Sequence, residues 1–260
     1  MKLTCLGLAG LLLLPVPLAA QSNPDAGETP SSVETTDGQK APPEEILAAF
    51  TRLIDRGEAR ALFGLPQEHF WRRNGALDIA LLADEAAEIV PVVERATAPF
   101  AMASGREIAV IESGPVQLSG RDPASIAPEA ELVIVVASRT DLAEFAAAGG
   151  FNMGMLARFE MGTWPFMFAF EQDERRRGIV LLADDEPERA REASFILATV
   201  WSLGGVTLGP ELTGLVSDGE EGPALTPLGQ AVFRLFYDDG LNVGMPIGDA
   251  VQRAATLLPQ

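Results

Sequence analysis

Apolar positions along the chain alternate between helical and extended spacing, and the switches between the two outline the domain. Ile46, Leu47, Phe50, Leu53 and Ile54 recur with a helical period, so one buried helix face is predicted there. It begins at Pro42-Pro43-Glu44-Glu45, where proline and acids suit the positive end of the helix dipole, and Gly57 weakens its far end. Leu77 to Leu82 reads as a strand. Asp84 is placed to cap a following helix with Ile89, Val92 and Val93 inward, and Pro91 is expected to kink it or delay its start.

Glu107 to Ile111 and the more apolar Leu132 to Ala137 are predicted strands. Thr140 is expected to cap a short helix ending at Gly149-Gly150. Trp164 to Phe170 and Gly178 to Leu182 form a predicted hairpin around the charged turn Asp173-Glu174-Arg175-Arg176-Arg177. A long helix from about Pro187 to Leu203 stops at Gly204-Gly205. Thr226, with Pro227 at the first helical position, caps a helix facing inward through Leu228, Val232, Leu235 and Phe236. Pro246 to Leu258 completes a C-terminal helical pair. No internal repeat interrupts this order. The expected fold is a single α+β domain over 42–260, a mixed β-sheet packed with helices.

The first 41 residues have a different pattern. Lys2, the apolar run Leu6 to Leu14, Pro15 and Pro17, and the small residues Leu18-Ala19-Ala20 have the three parts of a secretory signal, predicted to be cleaved before Gln21. The run is short for a bilayer span of about 20 residues, so no transmembrane span is expected after cleavage. Residues 21–41 are polar and poor in large apolar side chains, which predicts a disordered tether. A periplasmic or secreted location follows from these two segments.

Composition narrows the chemistry. Cys5 is the single cysteine and lies within the signal, so the mature chain is expected to have no disulfide, thiolate nucleophile, iron–sulfur centre or cysteine zinc site. The formal charge is −18, from 37 acidic and 19 basic residues, which opposes nucleic-acid binding. His69 is the only histidine, too few for the usual three-ligand catalytic zinc site; a Ser–His–Asp triad would have to use it, and the G-x-S-x-G elbow is missing. Asp184-Asp185-Glu186 and Asp218-Gly219-Glu220-Glu221-Gly222 lack the EF-hand order; dipole capping and a solvated turn account for them. No cofactor is expected.

Two segments remain as candidates for contact with a protein partner in the cell envelope. One is Gln67 to Arg73, where His69, Trp71 and Arg72 combine residue types favoured as binding anchors. The other is the Met- and Phe-rich stretch 151–170, represented by Met153 and Met155, whose side chains adapt to irregular surfaces. Each also has a plain structural reading: Phe70 and Trp71 packing a loop while the arginines stay solvated, and the apolar stretch as core.

The C-terminal third resembles a bacterial family of exported proteins of unknown function. The likeness rests on Leu225-Thr226-Pro227-Leu228, Phe233-Arg234-Leu235-Phe236-Tyr237-Asp238 and Gly244-Met245, with Ile179 to Asp184, Ser202-Leu203-Gly204, Phe50 and Trp71 as further points. The family is distantly similar to zincin metalloproteases, and its long helix carries E-E-x-x-Q in place of H-E-x-x-H. The resemblance puts the acidic pair at Leu197 and Ala198 and the glutamine at Trp201, none of which can hold zinc or activate water. It therefore implies a degenerate zincin-like domain, a non-catalytic binding or structural protein. A hydrolase with a carboxylate site and a membrane-surface protein are the alternatives.

Overall fold

A computed structural model describes residues 41–54, 69–115, 117–121, 125–148, 166–172, 175–205, 212, 214–219 and 222–259. The predicted signal, most of the predicted tether, Met153 and Met155 lie outside them. In chain order the elements are α1 (Pro43–Ile54), β1 (Leu77–Ala83), α2 (Ala86–Ser104), β2 (Ile108–Gly114), β3 (Leu132–Ala137), α3 (Arg139–Ala148), β4 (Phe166–Gln172), β5 (Arg175–Ala183), α4 (Glu188–Leu203), β6 (Val216–Gly219), β7 (Gly222–Leu225), α5 (Pro227–Phe236) and α6 (Ile247–Leu257).

Five strands form one sheet in the order β2-β1-β3-β5-β4. The first four are mutually parallel, and β4 returns antiparallel on β5, pairing Phe166 with Leu181 through to Gln172 with Arg175. Helices alternate with the parallel strands. The sheet is thus mixed as expected, but its organisation is interleaved α/β, with only the C-terminal helical pair and the β6–β7 hairpin set apart. Parallel strands must be joined by crossovers; α2 supplies the one from β1 to β2 and α3 lies in the one from β3 to β5, while among the described residues no helix lies between β2 and β3.

Side chains on alternate positions serve two cores. Leu77, Ile79, Leu81, Leu132, Ile134, Val136, Val180 and Leu182 face a large core built with α1, α2, α4, α5 and α6. Ala80, Val133, Val135, Ile179 and Leu181 face the other side, covered by Leu142 and Phe145 of α3 and by Leu118, Ile126 and Ala130. The near-continuous apolar run of β3 is what burial on both faces requires. Edge strand β2 differs: Ile111 is an extra residue where the β1 register slips, and it is half exposed. Such a bulge spoils the edge as a template for further pairing.

Several local expectations are corrected. Helix α2 starts at Ala86, and its N-cap Glu85 makes no side-chain cap, so Asp84 does not cap it. Pro91 and Pro99 both sit inside the helix, on exposed and half-exposed positions. Water can therefore take the carbonyls their missing N–H groups leave free. Helix α3 is capped by Ser138, whose Oγ accepts from the Asp141 N–H at 3.2 Å, and Thr140 lies within the first turn. Arg175 and Arg176, expected in the turn of the hairpin, belong instead to β5 and pair with Gln172 and Glu171. Thr226 does cap α5, accepting from the Gly229 N–H at 3.0 Å with Pro227 behind it. Among the described residues, no helix is long and apolar enough to cross a membrane.

Candidate functional site

Residues 69–73 enter the fold as an extended segment stitched to the end of the chain. His69 forms a bridge with Pro246, the Phe70 N–H donates to the Met245 carbonyl at 2.6 Å, and the Gly244 N–H donates to the Phe70 carbonyl at 2.9 Å. His69 is left exposed, while Phe70 is buried against Phe50 and Phe236, with ring centroids 6.3 and 5.3 Å away. Edge-on packing of this kind suits the aromatic quadrupoles. Trp71 is half-buried.

The two arginines that follow are buried, contrary to the solvated placement expected of them; each is 8% exposed. Both are drawn inward by helix ends. Arg72 Nη1 donates to the carbonyls of Phe236 and Asp238 at 2.8 and 2.9 Å, at the C-terminus of α5. Arg73 serves α4 in the same way, its Nε donating to the Ser202 carbonyl at 2.9 Å and its backbone N–H to the Leu203 carbonyl at 3.0 Å. The last turn of a helix leaves carbonyls unpaired and carries the negative end of the dipole, so a guanidinium satisfies both needs. Adjacent residues thereby fasten two helices that lie far apart in sequence.

Tyr237, the only tyrosine, joins them. Its hydroxyl donates to the Leu203 carbonyl at 3.3 Å. The Arg72 and Arg106 guanidinium carbons lie 5.6 and 5.4 Å from its ring centroid. Arg73 lies 5.9 Å from the Trp71 ring and 4.0 Å from Glu131, whose other oxygen accepts from the Asp78 N–H. Three buried polar atoms here make no hydrogen bond: Arg72 Nε, Arg106 Nε and Ser202 Oγ.

Burial pushes the Arg72 pKa below its ordinary value; the Arg106 charge adds to this, while Tyr237, Asp239 and Asp238 oppose it. Burial also pushes the Tyr237 phenol well above its ordinary 10.0, with Arg106, Arg72 and Arg73 pulling weakly the other way. A folded-state pKa raised above the unfolded value gives stability that is intact below pH 10.0 and declines as pH rises beyond it, because the unfolded chain loses this proton first. Alkaline titration should therefore show the single phenolate absorbance appearing together with unfolding. Tyr237→Phe should flatten stability against pH above 10.0, while losing about 1 kcal/mol at neutral pH with the hydroxyl bond. Denaturant midpoints across that range check both.

Chemically, the site offers fixed positive charge and a protonated phenol. Neither moves protons near neutrality, so the arrangement suits holding an anion or fastening helices better than acid–base catalysis. Leu197 and Ala198 are buried in the large core, at 7% and 1% exposure, and Trp201 packs against it. Among the described residues, no group of three or more His, Cys, Asp or Glu is arranged to hold a metal ion.

No family model, curated protein or solved structure matches the chain.

Of the residues that the sequence marks as candidates, His69, Trp71 and Arg72 are together, though Arg72 points into the protein; Met153 and Met155 fall outside the described residues. Asp185 and Glu186 bind Arg139 at 2.9 and 2.8 Å, so this acidic run forms an ion pair with α3; Pro187, without a side-chain cap, stands at the α4 start. Arg73 lies at the end of the candidate segment, whereas Arg106, Glu131 and Tyr237 join the site without having been candidates. Only Tyr237 carries a signal in the sequence, as part of the C-terminal motif.

Proposed function

We propose that this is an exported binding or structural protein without catalytic activity, on a degenerate zincin-like domain. The observation that carries the reading is the fate of α4: where a zincin helix needs metal ligands and a general base, this one has Leu197, Ala198 and Trp201 packed into or against the core. Export rests on the signal-like residues 1–20. Of the residues that carry the family likeness, Phe50, Phe236, Gly244 and Met245 pack against or pair with the 69–73 segment, and Thr226 caps α5. The face that segment leaves open, around His69 and Trp71, is the proposed contact with a protein of the cell envelope.

The test is affinity capture of the signal-cleaved protein from its own exported fraction after mild crosslinking. A stoichiometric protein partner, lost when exposed His69 is changed to Glu, is the expected result. Recovery of a partnerless chain that hydrolyses a peptide or ester substrate overturns it.

A further inference from the structure

Among the described residues, the Arg106 guanidinium makes no hydrogen bond and no ion pair. Its polar contact is the Tyr237 ring, and its Nε is buried without a partner. Arg72, on the same ring and nine-tenths buried, also has an unpartnered Nε. Scarcity of counter-charge does not explain this, because acids outnumber bases 37 to 19. Two other arginines do pair with acids: Arg95 binds Glu188 and Glu192, and Arg139 binds Asp185 and Glu186. Around Tyr237, Arg72 feels Asp238 and Asp239 only at a distance, and the Arg106 charge opposes it.

Holding partly desolvated like charges together is costly unless something neutralises them. The guanidinium plane is suited to one class of neutraliser, an oxyanion bound through two parallel N–H donors. We infer that the Arg106 side of the Tyr237 ring is a binding site for a small oxyanion, a carboxylate or phosphate group. Arg106 is the half-buried member and supplies the donors. Arg72 adds positive potential from within while it caps α5, and the ring that both guanidiniums approach supplies a flat wall beside Arg106.

This rests on reading the chain as a binding protein, and it names the chemistry one site would take. The single tyrosine is a built-in reporter, since ring-labelled 13C-tyrosine gives one set of ring signals. The signal-cleaved protein is titrated with succinate and, separately, with inorganic phosphate, with chloride keeping ionic strength constant. A saturable shift of the Tyr237 signals is expected, weakened at least about tenfold by Arg106→Gln and not restored by Arg106→Lys, which keeps the charge but not the fork. The stronger titrant identifies the carboxylate or the phosphate as the source. Near-ultraviolet circular dichroism verifies that both variants stay folded.

A shift no larger than chloride alone produces overturns the site, as does a shift that Arg106→Gln leaves intact. Either failure leaves the captured partner of the preceding test standing. Hydrolytic turnover, by contrast, would remove the non-catalytic reading without touching the anion site.

Discussion

Replacing Gly204 with alanine is expected to destabilise the protein by about 3 kcal/mol, as a backbone strain of about 1–2 kcal/mol combines with overpacking of similar size. Gly204 closes α4 at φ +115°, its N–H reaching back to the Val200 and Trp201 carbonyls. A Cβ there would stand 2.6 Å from the Trp71 carbonyl oxygen and 2.9 Å from the Arg72 Cα. Both obstacles are backbone, and the 69–73 segment is pinned on either side by hydrogen bonds, so neither can swing away. For a domain of this size the loss corresponds to a fall in Tm of roughly 6–12 °C. Gly105→Ala is the control: φ is +64° and nothing lies within 4 Å of the added atom, so only the conformational cost of about 1 kcal/mol applies. Equal losses at the two positions would show that close approach to Trp71 is not what Gly204 provides.

Arg72→Met should be nearly as damaging, at about 3 kcal/mol. The substitution keeps much of the apolar stem but leaves the Phe236 and Asp238 carbonyls without their donor, at about 1–3 kcal/mol for each buried group. Its contact with the Tyr237 ring, about 1 kcal/mol, is also lost. Part of this is returned, because the desolvation that lowers the Arg72 pKa works against the folded state. Arg106→Met gives the contrast. That guanidinium bonds no carbonyl among the described residues, so its removal should change stability by less than about 1 kcal/mol. Urea midpoints for the two variants, measured side by side, check the difference. Equal costs would mean that Arg72 contributes through charge or bulk and not by capping α5.

The elements legible in the sequence are those whose signal is local. The inward face of α1, the six apolar residues of β3, the glycine stop of α4 and the threonine cap of α5 are each written within a few neighbouring residues, and the structure places them as expected. Harder to see is the pairing of strands. β2, β1, β3 and β5 look like separate short apolar runs, and nothing within a run states that it will lie parallel to another, which is why an interleaved α/β chain reads as α+β. The proline pair of α2 misleads for a related reason: their cost depends on whether the freed carbonyl faces water, and that is a property of the packed helix.

Arg72 and Arg73 show the limit most clearly. Two adjacent arginines beside a histidine and a tryptophan read as a solvated, surface-facing motif, because buried arginine is rare without a partner. Their partners are backbone carbonyls, which every residue has, so composition holds no trace of them. Arg106 is invisible for the same reason, standing at an ordinary helix-to-strand turn until Tyr237 arrives from the other end of the chain.

That distance has a consequence for how the molecule is made. Arg72 closes onto the Phe236 carbonyl 164 residues later. At a synthesis rate of about 5–20 residues per second, the interval is on the order of ten seconds or more. Throughout it Phe50, Phe70 and Arg72 have been made, while the Phe236 ring and the end of α5 that they meet have not. Pairing across such a separation brings loop-closure entropy that no neighbouring contact offsets in the meantime. The Arg72 contact therefore cannot close until α5 has emerged.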